Sequence, residues 1–490
     1  MRDLPVALAR LGWQPTVLTP SYGVFHTLAD AKESTAVEVI FRGVKTPVRC
    51  FELEDPDTGV TSIVFEHPAF VPLEPGEIYH NDADGRPYAT DADKFALLCT
   101  AAAAWIDALD TPPDVVHLHD WHAAYYLLLR EFSVGGERLR NIRTVFTIHN
   151  LSYQGQRPLT GDSSSLEAWF PGLAYDVSLI SDPDADDCIN PMAFAIRSAD
   201  KVHVVSPTYA KEICKPSDPL HGFVGGEGLE AELQAAAGEG RLHGILNGCD
   251  YSKPLGRRPG WQHLIRVAAA TAEGWTHRDP GDTLHFLTLE RLSRLPKRRP
   301  LHVLTSIGRI VSQKIQLFLQ PLADGRTALE HILERLDRRG FLWLLGSGEA
   351  RYEAELERIA QTSDKLLFFR GYSDTLGETM YRAGDLFLMP SSFEPCGISQ
   401  MLAMRAGQPC VVHGVGGLRD TVEDGVTGFV FDGDTQADQA ADFVACVDRA
   451  LALRSGDPAA WQAMKKRAAD KRFDWASSAE QYVEALYEPD

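Results

Sequence analysis

The sequence predicts an α/β protein made of two Rossmann-like, doubly wound domains facing a cleft. Three observations predict it. Short β-branched runs alternate with helical patterns along most of the chain. The alternation breaks in an Arg-, Pro- and Gly-rich stretch over 252–299 and then restarts. The length, 490 residues, is more than one domain of roughly 100–200 residues needs. The expected domains are 1–246, with a C-terminal helix over 474–490 packing back onto it, and 247–473.

Taken in order, strands are expected at 15–20, 37–41, 48–52, 62–66, 114–119, 143–149 and 201–206. Helices are expected at 93–109, 123–132 and 193–199, and a long polar excursion occupies 150–187. After the break, strands are expected at 303–307, 342–345, 365–369, 385–389, 409–413 and 429–431. Helices over 328–338, 349–361, 376–382 and 399–406 separate them, and the last helix spans 475–487. The chain opens in a helix from Leu4 to Leu11, where a doubly wound domain ordinarily has its central first strand. The expectation is a natural start further upstream.

Composition narrows the function. Acidic residues exceed basic ones by 68 − 48 = 20, and the net charge of −20 repels polyanions, which argues against nucleic acid as a partner. The apolar stretch over 95–109 is broken by Asp107 and too short for a bilayer. No apolar run follows Met1, so neither a leader nor a membrane is expected, and the location is cytoplasmic. The eight cysteines show no CxxC spacing, which argues against a zinc ribbon and suits a reducing compartment.

Chemistry should sit in loops that follow strands. His117-Leu118-His119-Asp120-Trp121-His122 closes one strand. Three imidazoles and a carboxylate suit a metal, a sugar-binding loop, or only a polar strand end. His149 ends the next strand, ahead of Tyr153 and Gly155. Arg309 and Lys314 share one loop, where a guanidinium fork and a compact ammonium could straddle a diphosphate or simply face solvent. The turn Gly346-Ser347-Gly348-Glu349 is half of a dinucleotide fingerprint and reads as a tight turn, because Arg351 takes the last glycine's place. Glu394 lies in a strand-to-helix loop, where a carboxylate can face sugar hydroxyls or positive charge at an anomeric carbon. The amides of Cys396, Gly397, Ile398 and Ser399 follow it, and Gly416-Gly417-Leu418 form another glycine-rich turn where backbone can approach a ligand.

Several stretches together resemble the bacterial glycogen (starch) synthase family: HLHDWHA at 117–123, TIHNLSYQG at 147–155, ADKVHVVSPTYAKEI at 199–213, GILNGCD at 244–250, GRIVSQK at 308–314, GYSD at 371–374, PSSFEPCGISQ at 390–400 and GGLRDTV at 416–422. The resemblance implies the GT-B glycosyltransferase architecture and retaining transfer of glucose from ADP-glucose to the non-reducing end of an α-1,4-glucan. It implies no metal and no cofactor. Arg309 and Lys314 match the pair that neutralises the diphosphate, and Glu394 the carboxylate that orients the donor glucose. Asp120 and His149 match residues that close over the sugar from the acceptor-side first domain. Asn247, Tyr372, Cys396 to Ser399 and Gly416 to Leu418 are expected at the donor, and Trp121 and Tyr153 at the acceptor.

Three departures accompany it. The family's first strand and its Lys-Thr-Gly-Gly-Leu loop do not precede Leu4. Tyr251-Ser252-Lys253-Pro254 and an Arg-rich segment replace a tryptophan-proline stretch, and 182–192 diverges. Two alternatives stay open: a catalytically impaired glucan-binding homologue, and a related retaining nucleotide-sugar glucosyltransferase such as a sucrose or trehalose-phosphate synthase. Leu386 and Leu402, where those enzymes carry a second acid, argue against the latter.

Overall fold

A computed structural model describes residues 3–72, 74–83, 85–133, 136–252 and 254–488. Expectations that fall on Met1, Arg2, Lys253, Pro489 and Asp490 lie outside them. The chain forms two units: Met1–Ser217 with Gly225–Ile245 and Trp475–Asp490, and Asp218–Val224 with Leu246–Asp474.

The first unit contains β1 (Thr16–Pro20), β2 (Lys32–Phe41), β3 (Val44–Asp55), β4 (Val60–Glu66), β5 (Val115–His119), β6 (Arg143–Ile148), β7 (Arg157–Pro158), β8 (Cys188–Ile189), β9 (Lys201–Val204) and β10 (Leu242–Gly244). One four-stranded sheet has the order β1-β4-β3-β2, and β2, β3 and β4 pair antiparallel. That corrects the expectation of parallel sheets alone. The cause is local. Arg42 and Gly43 both adopt left-handed backbone, with φ of 54° and 72°. Two such residues make the tight turn whose twist matches an antiparallel hairpin, whereas parallel neighbours need a long crossover.

The second sheet, β10-β9-β6-β5, is parallel throughout. Side chains alternate across β6. Phe146 and Ile148 pack beneath the helices Ala89–Asp107, Asp120–Phe132 and Pro191–Ser198. Val145 faces the other way, onto Leu4, Leu8, Tyr482 and Leu486 from the first helix and the C-terminal segment. The polar excursion is not structureless: it holds β7 and the one-turn helices Leu166–Trp169 and Val177–Ile180, and β8, which pairs with β7, follows directly after it.

The second unit is a six-stranded parallel sheet of β11 (His302–Ile307), β12 (Gly340–Gly346), β13 (Leu366–Arg370), β14 (Leu386–Met389), β15 (Cys410–His413) and β16 (Phe429–Phe431), in the order β13-β12-β11-β14-β15-β16. Counted from β11, that is 3-2-1-4-5-6, the doubly wound order. Successive connections run outward in opposite directions from β11 and β14, which leaves a crevice outside their carboxyl ends at this switch point.

The stretch over 252–299 carries two helices, Trp261–Arg278 and Thr283–Arg294, where the sequence reading placed none. Trp261, Leu264, Ala268, Ala272 and Trp275 recur at three- and four-residue spacing and are buried, and all but Ala272 share one cluster with Trp343 and Phe369. The arginines around them had masked that stripe. Arg258 and Arg299 have a structural task. With Arg454 they converge on Asp385 at 2.9, 2.8 and 2.9 Å. Asp385 is 1% exposed, and burial alone would raise its pKa, yet the three guanidiniums hold it below the ordinary carboxylate value.

Among the described residues no helix is long and apolar enough to cross a membrane. All eight cysteines are unbridged.

Candidate active site

In the second unit, the loop after β11 and the loop after β14 meet at the sheet's switch point. Lys314 Nζ pairs with Glu394 Oε2. Ser391 Oγ donates to the same oxygen at 3.1 Å. Glu394 is 7% exposed, and these two partners hold its Oε2 in place. Gln313 laces the loops together: its Nε2 donates to Phe393 O at 2.9 Å, and its carbonyl accepts from Ser392 N at 2.8 Å. Sequence reasoning missed both Ser391 and Gln313. Arg309 stands exposed on the loop after β11, whereas Lys314 lies in the first turn of the helix Ser312–Leu319 that follows, so the two cations do not share one loop, contrary to the expectation.

The turn Gly346-Ser347-Gly348-Glu349, read as merely tight, backs the cationic loop. A Cβ at Gly346 would meet Gly308 O at 1.9 Å, and one at Gly348 would meet Ile310 O at 2.3 Å. Ile310 N donates to Ser347 O at 2.9 Å, and Glu349 N to Ile310 O at 2.7 Å. The glycines are there so that two backbones can touch and fix the path from Arg309 to Lys314.

The Glu394 loop is braced from below. Gln400 is fully buried, and its Nε2 donates to Cys396 O at 3.1 Å and Gly397 O at 3.0 Å. Gly417 N donates to Glu394 O at 3.0 Å, and a Cβ on Gly417 would strike Cys396 O at 2.2 Å. Cys396, Gly397, Gly416, Gly417 and Leu418 are therefore brought together, with Ile398 and Ser399 on the same loop. Burial pushes the Cys396 thiol up to about 12, so it packs as a neutral group. The Asn247 N–H points at that thiol, while Asn247 Oδ1 is buried without a hydrogen-bond partner. Tyr372, after β13, is 77% exposed, and its hydroxyl donates to Asp374.

In the first unit, the ends of β5 and β6 carry Asp120 and His149. Asp120 takes a left-handed φ of 56°, which an aspartate tolerates better than most residues. That turn aims Oδ1 at the backbone N–H of His149, 2.7 Å away. Burial raises the Asp120 pKa and lowers that of His149. His149 Nε2 lies 3.0 Å from His119 Nδ1. His117 stacks on His119 at 4.3 Å between ring centroids. His122 does not join them: its ring stacks on Trp121 and packs edge-on to Phe95. The three imidazoles of this motif thus do not converge on one point, and among the described residues no His, Cys, Asp and Glu cluster is placed to hold a metal.

Trp121 requires a correction. It is 2% exposed and packed among Tyr88, Phe95 and Gly155, where a Cβ on Gly155 would lie 2.3 Å from the ring. Its aromatic face is spent on the core and is not open to a glucan. Tyr153 is 52% exposed and keeps an open ring.

The resemblance noted in the sequence extends over both units. Residues 1–235 match the family described as "Starch synthase catalytic domain", and residues 302–452 match "Glycosyl transferases group 1". A glycogen synthase from Anaeromyxobacter sp. (strain Fw109-5) is 36% identical, covering 99% of this chain and 94% of that protein. The chain belongs to the glycogen synthase family. It is a glycosyltransferase. A second family member, from Francisella philomiragia, is 31% identical over 97% of this chain and 93% of its own length. Among solved structures, the catalytic domain of starch synthase IV from Arabidopsis thaliana, bound to ADP and acarbose, aligns with a TM-score of 0.75 and 26% identity. It covers 99% of this chain and 94% of that one. A sucrose-phosphate synthase shares the fold with a TM-score of 0.54 at 18% identity.

Proposed function

We propose that the chain transfers glucose from ADP-glucose to the non-reducing end of an α-1,4-glucan, with retention of configuration and release of ADP. The Lys314–Glu394 pair at the β11/β14 crevice carries this reading. As the bond from glucose C1 to the diphosphate lengthens, negative charge grows on the phosphate oxygens and positive charge on C1. Lys314 and Arg309 are fixed cations for the first, a task that a divalent ion performs in other transferases. Glu394 faces the second, and Ser391 and Lys314 keep its carboxylate oriented. Backbone amides of Cys396 to Ser399 meet phosphate and sugar oxygens, and the turn Gly416 to Leu418 lets backbone approach them closely. The vacant acceptor on Asn247 suits a donor hydroxyl, Tyr372 offers a ring to the adenine, and Tyr153 one to the glucan.

His149 supplies a neutral imidazole and Asp120 a carboxyl acceptor for glucose hydroxyls. Retention follows from front-face attack. The acceptor 4-hydroxyl oxygen bonds to C1 on the side from which ADP leaves, and its proton passes to the departing diphosphate.

The test is incubation of the purified chain with radiolabelled ADP-glucose and glycogen. ADP release matched by label that β-amylase removes as maltose is expected, with a lower rate from UDP-glucose. Glycogen binding without ADP release overturns the reading, and label resistant to α-specific digestion overturns the stereochemistry.

A further inference from the structure

The first unit holds a row of polar side chains, buried to differing degrees, that the proposed chemistry does not use. Tyr487 Oη lies 2.7 Å from His117 Nδ1. His117 Nε2 lies 2.6 Å from Thr147 Oγ1. Thr147 Oγ1 lies 2.9 Å from His203 Nδ1, and His203 Nε2 lies 3.1 Å from the carbonyl oxygen of Ile245. The row crosses three adjacent strands, β5, β6 and β9, and runs from the C-terminal segment to the residue after β10.

One atom in this row has no choice. A carbonyl oxygen only accepts, so His203 Nε2 carries the hydrogen. His203 is fully buried, and burial holds its pKa well below the ordinary imidazole value, so it is neutral and Nδ1 is a lone pair. Two hydroxyls approach that lone pair, Thr147 at 2.9 Å and Tyr482 at 3.4 Å; the shorter contact takes it. Thr147 therefore donates to His203, and its oxygen must accept from His117, which fixes the hydrogen on His117 Nε2. Nδ1 of His117 is then the acceptor, and Tyr487 donates to it. Every bond in the row points the same way because of one backbone carbonyl.

We propose that Tyr487 and Thr147 are positioning residues that lock His117 as its neutral Nε2–H tautomer and thereby keep the adjoining His119–His149 pair in one uncharged arrangement. The groups that face His117 are His119 on its own strand, Thr147 and His149 from β6 and its loop, His203 from β9, and Tyr482 and Tyr487 from the C-terminal segment. None of them is a carboxylate that would stabilise an imidazolium. A charge on His117 would stand stacked against His119, one hydrogen bond from His149. Removing the Tyr487 hydroxyl takes away a bond that only the Nδ1 lone pair of His117 can accept. The tautomer is then free to change, and protonation becomes easier. The kinetic consequence rests on the glucosyl-transfer reading; the tautomers do not.

The test uses the full chain labelled with ¹⁵N-histidine, with signals assigned by loss in His117→Gln and His203→Gln. Two-bond proton–nitrogen spectra are expected to show His117 and His203 as Nε2–H tautomers. Tyr487→Phe is expected to give mixed His117 tautomers and to raise the titration midpoint of His117 by about one pH unit; Thr147→Val, which removes the acceptor of the Nε2–H, is expected to give mixed tautomers without that rise, and Thr147→Ser to restore the wild-type pattern. In parallel, the acid limb of kcat/KM should move upward in Tyr487→Phe. His117 found as the Nδ1–H tautomer, or titrations in Tyr487→Phe superimposable on wild type, overturns the proposal. Correct tautomers in a chain that never releases ADP would overturn the transferase reading alone.

Discussion

The two units solve opposite electrostatic problems. In the second, the residues at the strand ends are charged and paired: Lys314 on Glu394, with Arg309 in solvent beside them. In the first, the corresponding strand ends carry His117, His119 and His149, all driven toward neutrality by burial. A nucleotide sugar has a doubly charged end and an uncharged end. Fixed cations suit the phosphates, where charge grows during the reaction. Neutral imidazoles can hydrogen-bond glucose hydroxyls without competing for that charge.

The second unit also separates charge for folding from charge for chemistry, and the first prediction breaks that separation. Asp385 precedes β14 and Glu394 follows it, so the two carboxylates sit at opposite ends of one strand. Asp385→Ala leaves three guanidiniums facing a buried gap and is expected to destabilise by about 3–5 kcal/mol, read by chemical denaturation. A loss within 1 kcal/mol of zero would mean that the arginines find other partners. At the other end, Lys314→Ala or Glu394→Ala is expected to lower kcat by at least ~10²-fold, as removal of one transition-state contact does. Near wild-type turnover in either would remove it from the catalytic set.

Much of this arrangement was legible beforehand, because strand-to-helix turns leave strong local marks. The pairing of β11 with the cationic loop and of β14 with the Glu394 loop follows from alternation alone. What stayed hidden was which side chain meets which partner, near or far in the chain. Gln313 and Gln400 carry no chemistry of their own, and their importance lies in carbonyls 80 and 3–4 residues away. Ser391 reads as turn filler until its hydroxyl is seen on Glu394. Trp121 misled because an indole beside Asp and His looks like a sugar platform; only its contact with Gly155 reveals a core residue. The antiparallel β2–β4 hairpins were visible as strands but not as hairpins, since Arg42-Gly43 is an uncommon spelling of a two-residue turn.

Acid should separate the units. His117, His119, His122, His149 and His203 all have pKa values below the ordinary 6.5, with His117 and His122 near 3. The unfolded chain binds protons at these sites before the folded one does. Their contribution to stability is therefore complete above about pH 6.5 and is lost as pH falls toward 3. The second unit buries His285, His302 and His413, but on separate elements, and the depressed pKa of Asp385 contributes until pH falls below the ordinary 3.8. Hydrogen exchange between pH 7 and 4 should show β5 and β6 losing protection before β11 and β12. Simultaneous loss would mean that the histidine row is no weaker than the dispersed set.

The smallest expected effect concerns Tyr372, which tests whether the charged unit also binds by contact alone. Its ring is 77% exposed and makes no core contact, so Tyr372→Ala should leave the melting midpoint unmoved. If the ring lies against adenine, the same change raises KM for ADP-glucose by about three- to tenfold at unchanged kcat, since ring stacking is uniform binding, equal in ground and transition states. Tyr372→Phe keeps the stacking face and loses only the bond to Asp374, so it should stay within about twofold of wild type. A fall in kcat instead would place Tyr372 among groups that act in the transition state, and the division between charge that reacts and surface that merely holds would have to be redrawn around β13.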